Sequence, residues 1–242
     1  MESLPKKENT HVKFKNVFSG VKMKCIIFSD ALFHFISVAL SYFSEKKFDE
    51  KHGIETLKIE RNIDENIDGC PYEPTPAKIF YKTMKTIEAN ENDYFIDFGA
   101  GKGKVLFMAA EFGIKNIVGV EISKEIYKVA QKNIKNYLSS SRKDVDISVL
   151  NCDACDFVIP DNATIFYFFH PFYINSMKEV LKNIEQSFER SPRALKIVYY
   201  YPLSDIKNLF NSQKWLKKKF TIKYKKFLPS IDDYCVVYEA IV

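Results

Sequence analysis

From residue 71 onward the chain alternates between two hydrophobic periods, and that alternation restricts the possible folds more than any other feature. YFIDF (94–98), NIVGV (116–120), DISVL (146–150), ATIFYFF (163–169) and LKIVYYY (195–201) are short apolar runs that read as buried strands. Between them, apolar residues recur at helical spacing. Ile79, Phe80, Met84 and Ile87 form one face, with Thr75 expected as N-cap and Pro76 as the first helical residue. Val105, Leu106, Met108, Ala109 and Phe112 mark a second helix. Ile126, Ala130, Ile134 and Leu138, capped by Ser123, mark a third. Met177, Val180, Leu181, Ile184 and Phe188 mark a fourth, and a short helix is expected at 204–211. Continuous apolar strands separated by amphipathic helices require a mostly parallel sheet covered on both faces. Two further strands, near 218–227 and 233–241, follow each other through a short turn around Pro229-Ser230 and are expected to pair antiparallel at the sheet edge. The fold class is therefore α/β: a doubly wound, mostly parallel seven-stranded sheet with an antiparallel edge pair, preceded by an N-terminal helical extension.

The first seventy residues break from this pattern. Residues 1–20 are polar, Lys-rich and aperiodic, and are expected to form a flexible tail; residues 21–70 are assigned to the helical extension. Within it, residues 25–43 (CIIFSDALFHFISVALSYF), with Ser44 just beyond, place Asp30, His34, Ser37, Ser41 and Ser44 on one narrow polar stripe of an otherwise apolar helix. An Asp or a His in a lone membrane span would cost about 3 kcal/mol each. The helix is thus expected to pack on the domain or a dimer partner, ahead of lying on a membrane surface. Residues 45–70 are polar and are expected to wrap the domain as short helices and loops. The chain shows no secretory leader pattern. Its five cysteines (25, 70, 152, 155 and 235) are odd in number and scattered, which argues for a reducing compartment, the cytoplasm. The net charge of +5 is nearly all Lys in a chain rich in Asn, Ile, Phe and Tyr, a bias that follows an AT-rich coding sequence, so it carries little weight for a nucleic-acid partner.

The segment Asp97-Phe98-Gly99-Ala100-Gly101-Lys102-Gly103 joins the first strand to the helix behind it. In doubly wound sheets, ligands bind outside the carboxyl ends of the strands, near the switch in strand order. Glycines there permit a tight turn and close approach to the backbone. A dinucleotide loop needs G-x-G-x-x-G; counted from Gly99 and Gly101, its third glycine would fall at 104, which is Lys. That disfavours an NAD-dependent oxidoreductase, and the P-loop pattern is absent as well. Asp97 at the head of the loop would repel a phosphate but suits a ligand ammonium. Glu121 closes the second strand, 18 residues past Gly103, where a carboxylate can accept both ribose hydroxyls. Asp153 follows the third strand, placed to accept from an exocyclic amino group. Read one at a time, these are a common glycine turn, a solvated strand end and a loop carboxylate; together they outline an amino acid, a ribose and an adenine without phosphates.

The D-x-G-x-G-x-G loop, Glu121 and the Asp153-Ala154 step resemble the cofactor motifs of the class I S-adenosylmethionine-dependent methyltransferases, over roughly residues 72–242. The resemblance implies S-adenosylmethionine as cofactor and a methyltransferase domain at 71–242. It implies that Asp97, Gly99, Ala100, Gly101 and Gly103 hold the methionine end, Glu121 the ribose, and Asp153 with Ala154 the adenine, with Ile122 among the cofactor-binding residues. YEPTP (72–76) resembles a subset of these enzymes in which this region folds over the methionine end, which adds Tyr72 and Thr75. The fourth strand runs into His170-Pro171-Phe172, which resembles the Asn/Asp-Pro-Pro-Tyr/Phe motif of the amino-methylating members. It departs twice, with His for Asn or Asp and a single Pro. His170, whose ordinary pKa lies near neutrality, is the candidate base, or else shapes the pocket at a strand end. Phe172 is the candidate substrate-contacting ring, or else a core residue.

The expected activity is methyl transfer to a nitrogen or oxygen nucleophile, a protein side chain or small metabolite ahead of nucleic acid. The alternative is a non-catalytic relative serving as a binding or regulatory partner. Cys152 and Cys155 form a lone C-x-x-C, read as chance, and no metal is expected; a small Cys155 is compatible with a neighbouring adenine. Lys214, Lys217, Lys218, Lys219, Lys223, Lys225 and Lys226, interleaved with Trp215, Phe220 and Tyr224, read as an edge strand protected by charge, ahead of a track for nucleic acid or an acidic protein.

Overall fold

The computed structural model describes residues 42–60, 71–224 and 233–241. The tail at 1–20, nearly all of the apolar helix expected at 25–43 and the turn at Pro229-Ser230 lie outside the described residues. Helix α1 occupies 42–52. It is followed by α2 (Ala77–Thr86), β1 (Tyr94–Phe98), α3 (Lys104–Phe112), β2 (Asn116–Glu121), α4 (Lys124–Ser140), β3 (Asp146–Asn151), β4 (Ile165–Phe169), α5 (Ile174–Arg190), β5 (Lys196–Tyr200), α6 (Ser204–Ser212), β6 (Leu216–Tyr224) and β7 (Asp233–Ala240). The seven strands form one sheet in the order β3-β2-β1-β4-β5-β7-β6. The first five are parallel; β7 inserts antiparallel between β5 and β6. Strand order reverses between β1 and β4, so the carboxyl ends of those two strands flank the switch point.

Each strand divides its side chains between two cores because successive residues point to opposite faces. On one face Phe95, Tyr167, Val198, Tyr200, Cys235 and Val237 pack against α2, α3 and α4. On the other, Ile96, Phe98, Phe166, Phe168, Ile197 and Tyr199 pack against α5 and α6. Phe80 meets Phe95 and Tyr167 edge-on at centroid distances of 6.0 and 5.8 Å, fixing α2 over β1 and β4. Asp97 follows the same alternation and therefore lies on the α2–α4 side.

Two helix details differ from the sequence expectation. Helix α2 starts at Ala77 with Pro76 at the cap position and no side-chain cap; the Ala77 N–H instead donates to Glu45 Oε1 of α1 at 3.1 Å. Thr75 is not the N-cap because a carboxylate from another element satisfies the first turn. On α4, Ala130, Ile134 and Tyr137 are buried while Leu138 is exposed. The apolar face runs through Tyr137 because its ring packs on Phe107, Phe48 and His52. Ser123 caps α4 as expected, accepting from the Ile126 N–H.

Residues 42–60 fold back as a strap over this side of the domain. After Gly53 (φ 62°) the chain reverses, and the Asp49 carboxylate accepts from the Thr56 N–H at 2.7 Å and its hydroxyl at 2.9 Å. Glu60 then bridges antiparallel to Tyr72, with N···O distances of 3.2 and 3.0 Å.

Candidate active site

The turn after β1 is pinned to the end of β2. The Gly99 and Ala100 N–H groups both donate to the Val120 carbonyl, at 2.9 and 3.0 Å, and the Gly101 N–H donates to Glu121 Oε2 at 2.8 Å. The other Glu121 oxygen accepts from the Ser123 N–H at 2.9 Å. Asn151, closing β3, donates to the Glu121 and Ile122 carbonyls at 2.9 and 3.0 Å and so ties the third strand end to the second.

Two of the glycines are required by close approach as well as by positive φ. A Cβ on Gly99 (φ 75°) would sit 2.5 Å from Pro171 Cβ, so β1's turn abuts the segment after β4. A Cβ on Gly101 (φ 56°) would sit 2.2 Å from the Tyr72 ring. The ring lies directly on the glycine turn, its hydroxyl donates to the Thr56 carbonyl, and Lys102 Nζ stands 5.5 Å from its centroid.

Asp97 and Glu121 are both buried. Burial, and then the charge of Glu121, push the Asp97 carboxyl well above the usual carboxylate range. Burial also raises Glu121, against the lowering effect of its backbone donors. Among the described residues no group donates a hydrogen bond to Asp97, whereas buried polar groups are ordinarily paired. A ligand ammonium would supply the missing donors and countercharge together.

One cleft gathers most of the expected site. Tyr72, Gly99, Glu121, Ile122, Asp153, Ala154, His170, Pro171 and Phe172 all line it. Asp97, Ala100, Gly101 and Gly103 do not line it; the Tyr72 ring covers the turn at Gly101. Thr75 is buried beneath the segment and is likewise absent from the lining. Asp153 is exposed and its Oδ1 accepts from the Cys155 N–H at 2.8 Å, forming a local turn that buries Ala154. Cys152, not Cys155, lines the cleft. Cys155 points to the Ser176 carbonyl, with Sγ 3.8 Å away. Phe172 serves two surroundings: it lines the cleft and packs edge-on against Phe168 at 6.2 Å in the α5–α6 core.

His170 has φ 43°, in the left-handed region that non-glycine residues seldom occupy. Its Nε2 is buried with no partner among the described residues. Burial lowers its pKa below 6.5, and the charge of Asp205 at the start of α6 partly offsets this. Burial thus favours the neutral imidazole. Strained non-glycine residues gather at functional sites, and Tyr201 (φ 55°), in register with His170 beyond the Phe169–Tyr200 pair, is a second one at this edge.

Several residues escaped the sequence reading. Ser123 and Ile126 at the start of α4, and Phe169 at the end of β4, line the cleft; their nearness to Glu121 and His170 was the available signal. Lys102 gave none. It is buried inside the glycine turn, with Nζ 2.7 Å from Glu55 and 3.0 Å from Glu60. Lys104 pairs with Glu45 at 2.6 Å. Asn133 reinforces the contact, accepting from the Glu55 N–H and donating to the Glu55 and Lys102 carbonyls at 3.0 Å. The strap of residues 45–60 is thus bolted to the cofactor turn and the start of α3 by the buried ammonium groups of Lys102 and Lys104.

Comparison with known proteins agrees with this geometry. Residues 71–159 match the family described as Histone methylation protein DOT1, a span that contains the glycine turn, Glu121 and Asp153. A protein-lysine N-methyltransferase of Saccharolobus islandicus (strain REY15A) is 36% identical over 66 residues, covering 27% of this chain and 41% of that protein. The chain thus spans well under half the length of that relative. Among solved structures, a putative RNA methyltransferase from Pyrococcus horikoshii superposes with a TM-score of 0.54 at 17% identity, covering 78% of this chain and 91% of the other. TrmN from Thermus thermophilus does so with a TM-score of 0.53 at 12% identity, covering 69% and 49%. At these identities the two structures speak for the fold.

Proposed function

We propose that this chain, which has the class I S-adenosylmethionine-dependent methyltransferase fold, is a protein-lysine N-methyltransferase. The observation that carries the reading is one cleft lined by the ribose-side carboxylate Glu121, the Asp153-Ala154 turn and His170, beside a glycine turn headed by the buried Asp97. The match to the DOT1 family over the same residues, and the lysine-specific relative, support lysine as the acceptor.

The residues present fit S-adenosylmethionine. Asp97 and the turn beneath Tyr72 would hold the methionine end, Glu121 the ribose, and Ile122, Ile126 and Ala154 the adenine, with Asp153 at its polar edge. When bound, the cofactor supplies an activated methyl that the acceptor nitrogen displaces in line. The protein's share is positioning and proton handling. Tyr72, held by Thr56 and Lys102, closes over the turn and excludes water. Gly99 against Pro171 brings the cofactor turn next to the acceptor edge. His170 Nε2, without a partner among the described residues, can in its neutral form accept a hydrogen bond and then a proton from the acceptor amine. The odd, scattered cysteine set supports a reducing, cytoplasmic setting for the reaction.

The test uses the purified full chain, methyl-labelled S-adenosylmethionine and a cell extract, followed by protease, nuclease and size fractionation and acid hydrolysis. Label recovered as methyl-lysine in protease-sensitive material is the expected result. Label in nuclease-sensitive material would replace the acceptor class. Cofactor binding with no transfer to any fraction would favour a non-catalytic methyltransferase-fold protein.

A further inference from the structure

We infer that a basic groove beside the transfer edge docks an acidic stretch of the polypeptide acceptor. The inference rests on the protein-acceptor reading above and adds where, and by what chemistry, the acceptor is held.

The groove lies on the α5–α6 face of the sheet, has a volume of about 350 Å³, and is lined chiefly by Lys207 and Asn211 of α6, Lys218, Thr221 and Lys223 of β6, and Tyr234 of β7. No carboxylate is among its lining residues, of those described. Lys207 and Lys218, with three neutral hydrogen-bonding side chains around the same concavity, match carboxylates on a partner. Lysines that merely guard an edge strand would sit on that strand and need no counterpart across a groove. Here α6 contributes Lys207, while Lys219, whose side chain reaches Glu239 at 3.0 Å, stays out of the lining. The charge has been gathered on one face.

Its position relates it to the chemistry. Tyr234 at the groove's end accepts the Tyr201 N–H through its carbonyl at 3.1 Å. Tyr201 in turn follows the β5 residue in register with Phe169, next to His170. The groove therefore starts two to three strands from the transfer edge, about 10–15 Å at the usual strand spacing. An extended polypeptide covers that in roughly three to five residues. An acidic residue is thus expected about that far from the target lysine. A polynucleotide track would present successive rings for base stacking; among the described residues this lining offers the single ring of Tyr234.

Three probes test this on the full chain by fluorescence anisotropy: a short peptide with one lysine and glutamates three to five positions away, the same peptide with glutamines, and a uridine oligoribonucleotide. The glutamate peptide is expected to bind at least about tenfold more tightly than the glutamine peptide, and to weaken as salt screens the lysines. Lys207→Glu with Lys218→Glu is expected to abolish the difference while leaving S-adenosylhomocysteine affinity and melting unchanged. Equal binding of the two peptides, a preference that survives in the double variant, or tighter binding of the oligoribonucleotide would overturn the inference. A glutamate peptide that binds as expected but gains no methyl-lysine would uphold the groove and count against the lysine-methyltransferase reading.

Discussion

At the scale of single residues, the site is built on two carboxyls that the fold keeps dry. Asp97 has no donor among the described residues and a raised pKa, caused first by burial and then by Glu121. The sign of its linkage follows. Its folded pKa lies above the ordinary 3.8. Its contribution to stability is therefore complete below that value and is lost as pH rises through the folded pKa. Asp97→Asn is expected to raise the melting temperature of the ligand-free chain at neutral pH and to flatten this loss. The same substitution should weaken S-adenosylhomocysteine binding about tenfold or more, since a charge-assisted hydrogen bond contributes about 1.5–3 kcal/mol. Calorimetry and thermal melts across pH check both; a lower melting temperature would refute the uncompensated carboxylate. His170 has the opposite displacement, downward through burial. With saturating acceptor, the acid limb of kcat that it contributes is expected below pH 6.5 and should vanish in His170→Gln. That variant should keep cofactor affinity while kcat falls about a hundredfold. A variant with native kcat would remove His170 as the base and leave it a shaper of the pocket.

At the scale of elements, the strap and the glycine turn act as one piece. Lys102 is the bolt: 2% of its side chain is exposed, against 60% for Glu55 and 34% for Glu60. The desolvation is thus concentrated on the lysine, and removing the ammonium leaves carboxylates that water can reach. Lys102→Met should therefore fold. It is expected to free the Tyr72 segment and speed cofactor release about tenfold, with little change in kcat; stopped-flow displacement of S-adenosylhomocysteine measures this. An unchanged release rate would mean that Tyr72 is held by the Thr56 contact and the Glu60 bridge alone. The turn itself was readable from the glycine spacing and its acidic head. The strap was not, because its ion-pair partners lie 42 to 59 residues apart in the chain and polar residues at 45–60 carry no period. The same reason explains Thr75. Its local sequence is that of a cap, but Glu45 from α1 takes the α2 N–H, and a contact between elements overrides a local preference.

At the scale of the whole molecule, the cleft exists because strand order reverses between β1 and β4. That reversal sets Gly99 beside Pro171, while the β2–β3 pairing sets Glu121 opposite Asn151. A ligand that joins these ends should stabilise the entire domain. S-adenosylhomocysteine at about a hundred times its dissociation constant is expected to add about 2.7 kcal/mol, or about 5–11 °C in melting temperature for a chain of this size. NAD should add nothing. A shift with NAD and none with S-adenosylhomocysteine would overturn the cofactor.

Period and punctuation in the chain were enough to specify the seven strands, their covering helices, the antiparallel C-terminal pair and the residue types at each strand end. Those properties depend on neighbours two to four positions away, which a linear sequence displays. Folding in three dimensions was needed to decide that Tyr72 shields the glycine turn, that Cys152 rather than Cys155 faces the cleft, that Lys102 and Lys104 are buried ion-pair partners of the strap, and that lysines of α6 and β6 share one groove. Each of these depends on which distant surfaces meet and which water they exclude. Desolvation and close approach are properties of the assembled surfaces, and no local pattern encodes them.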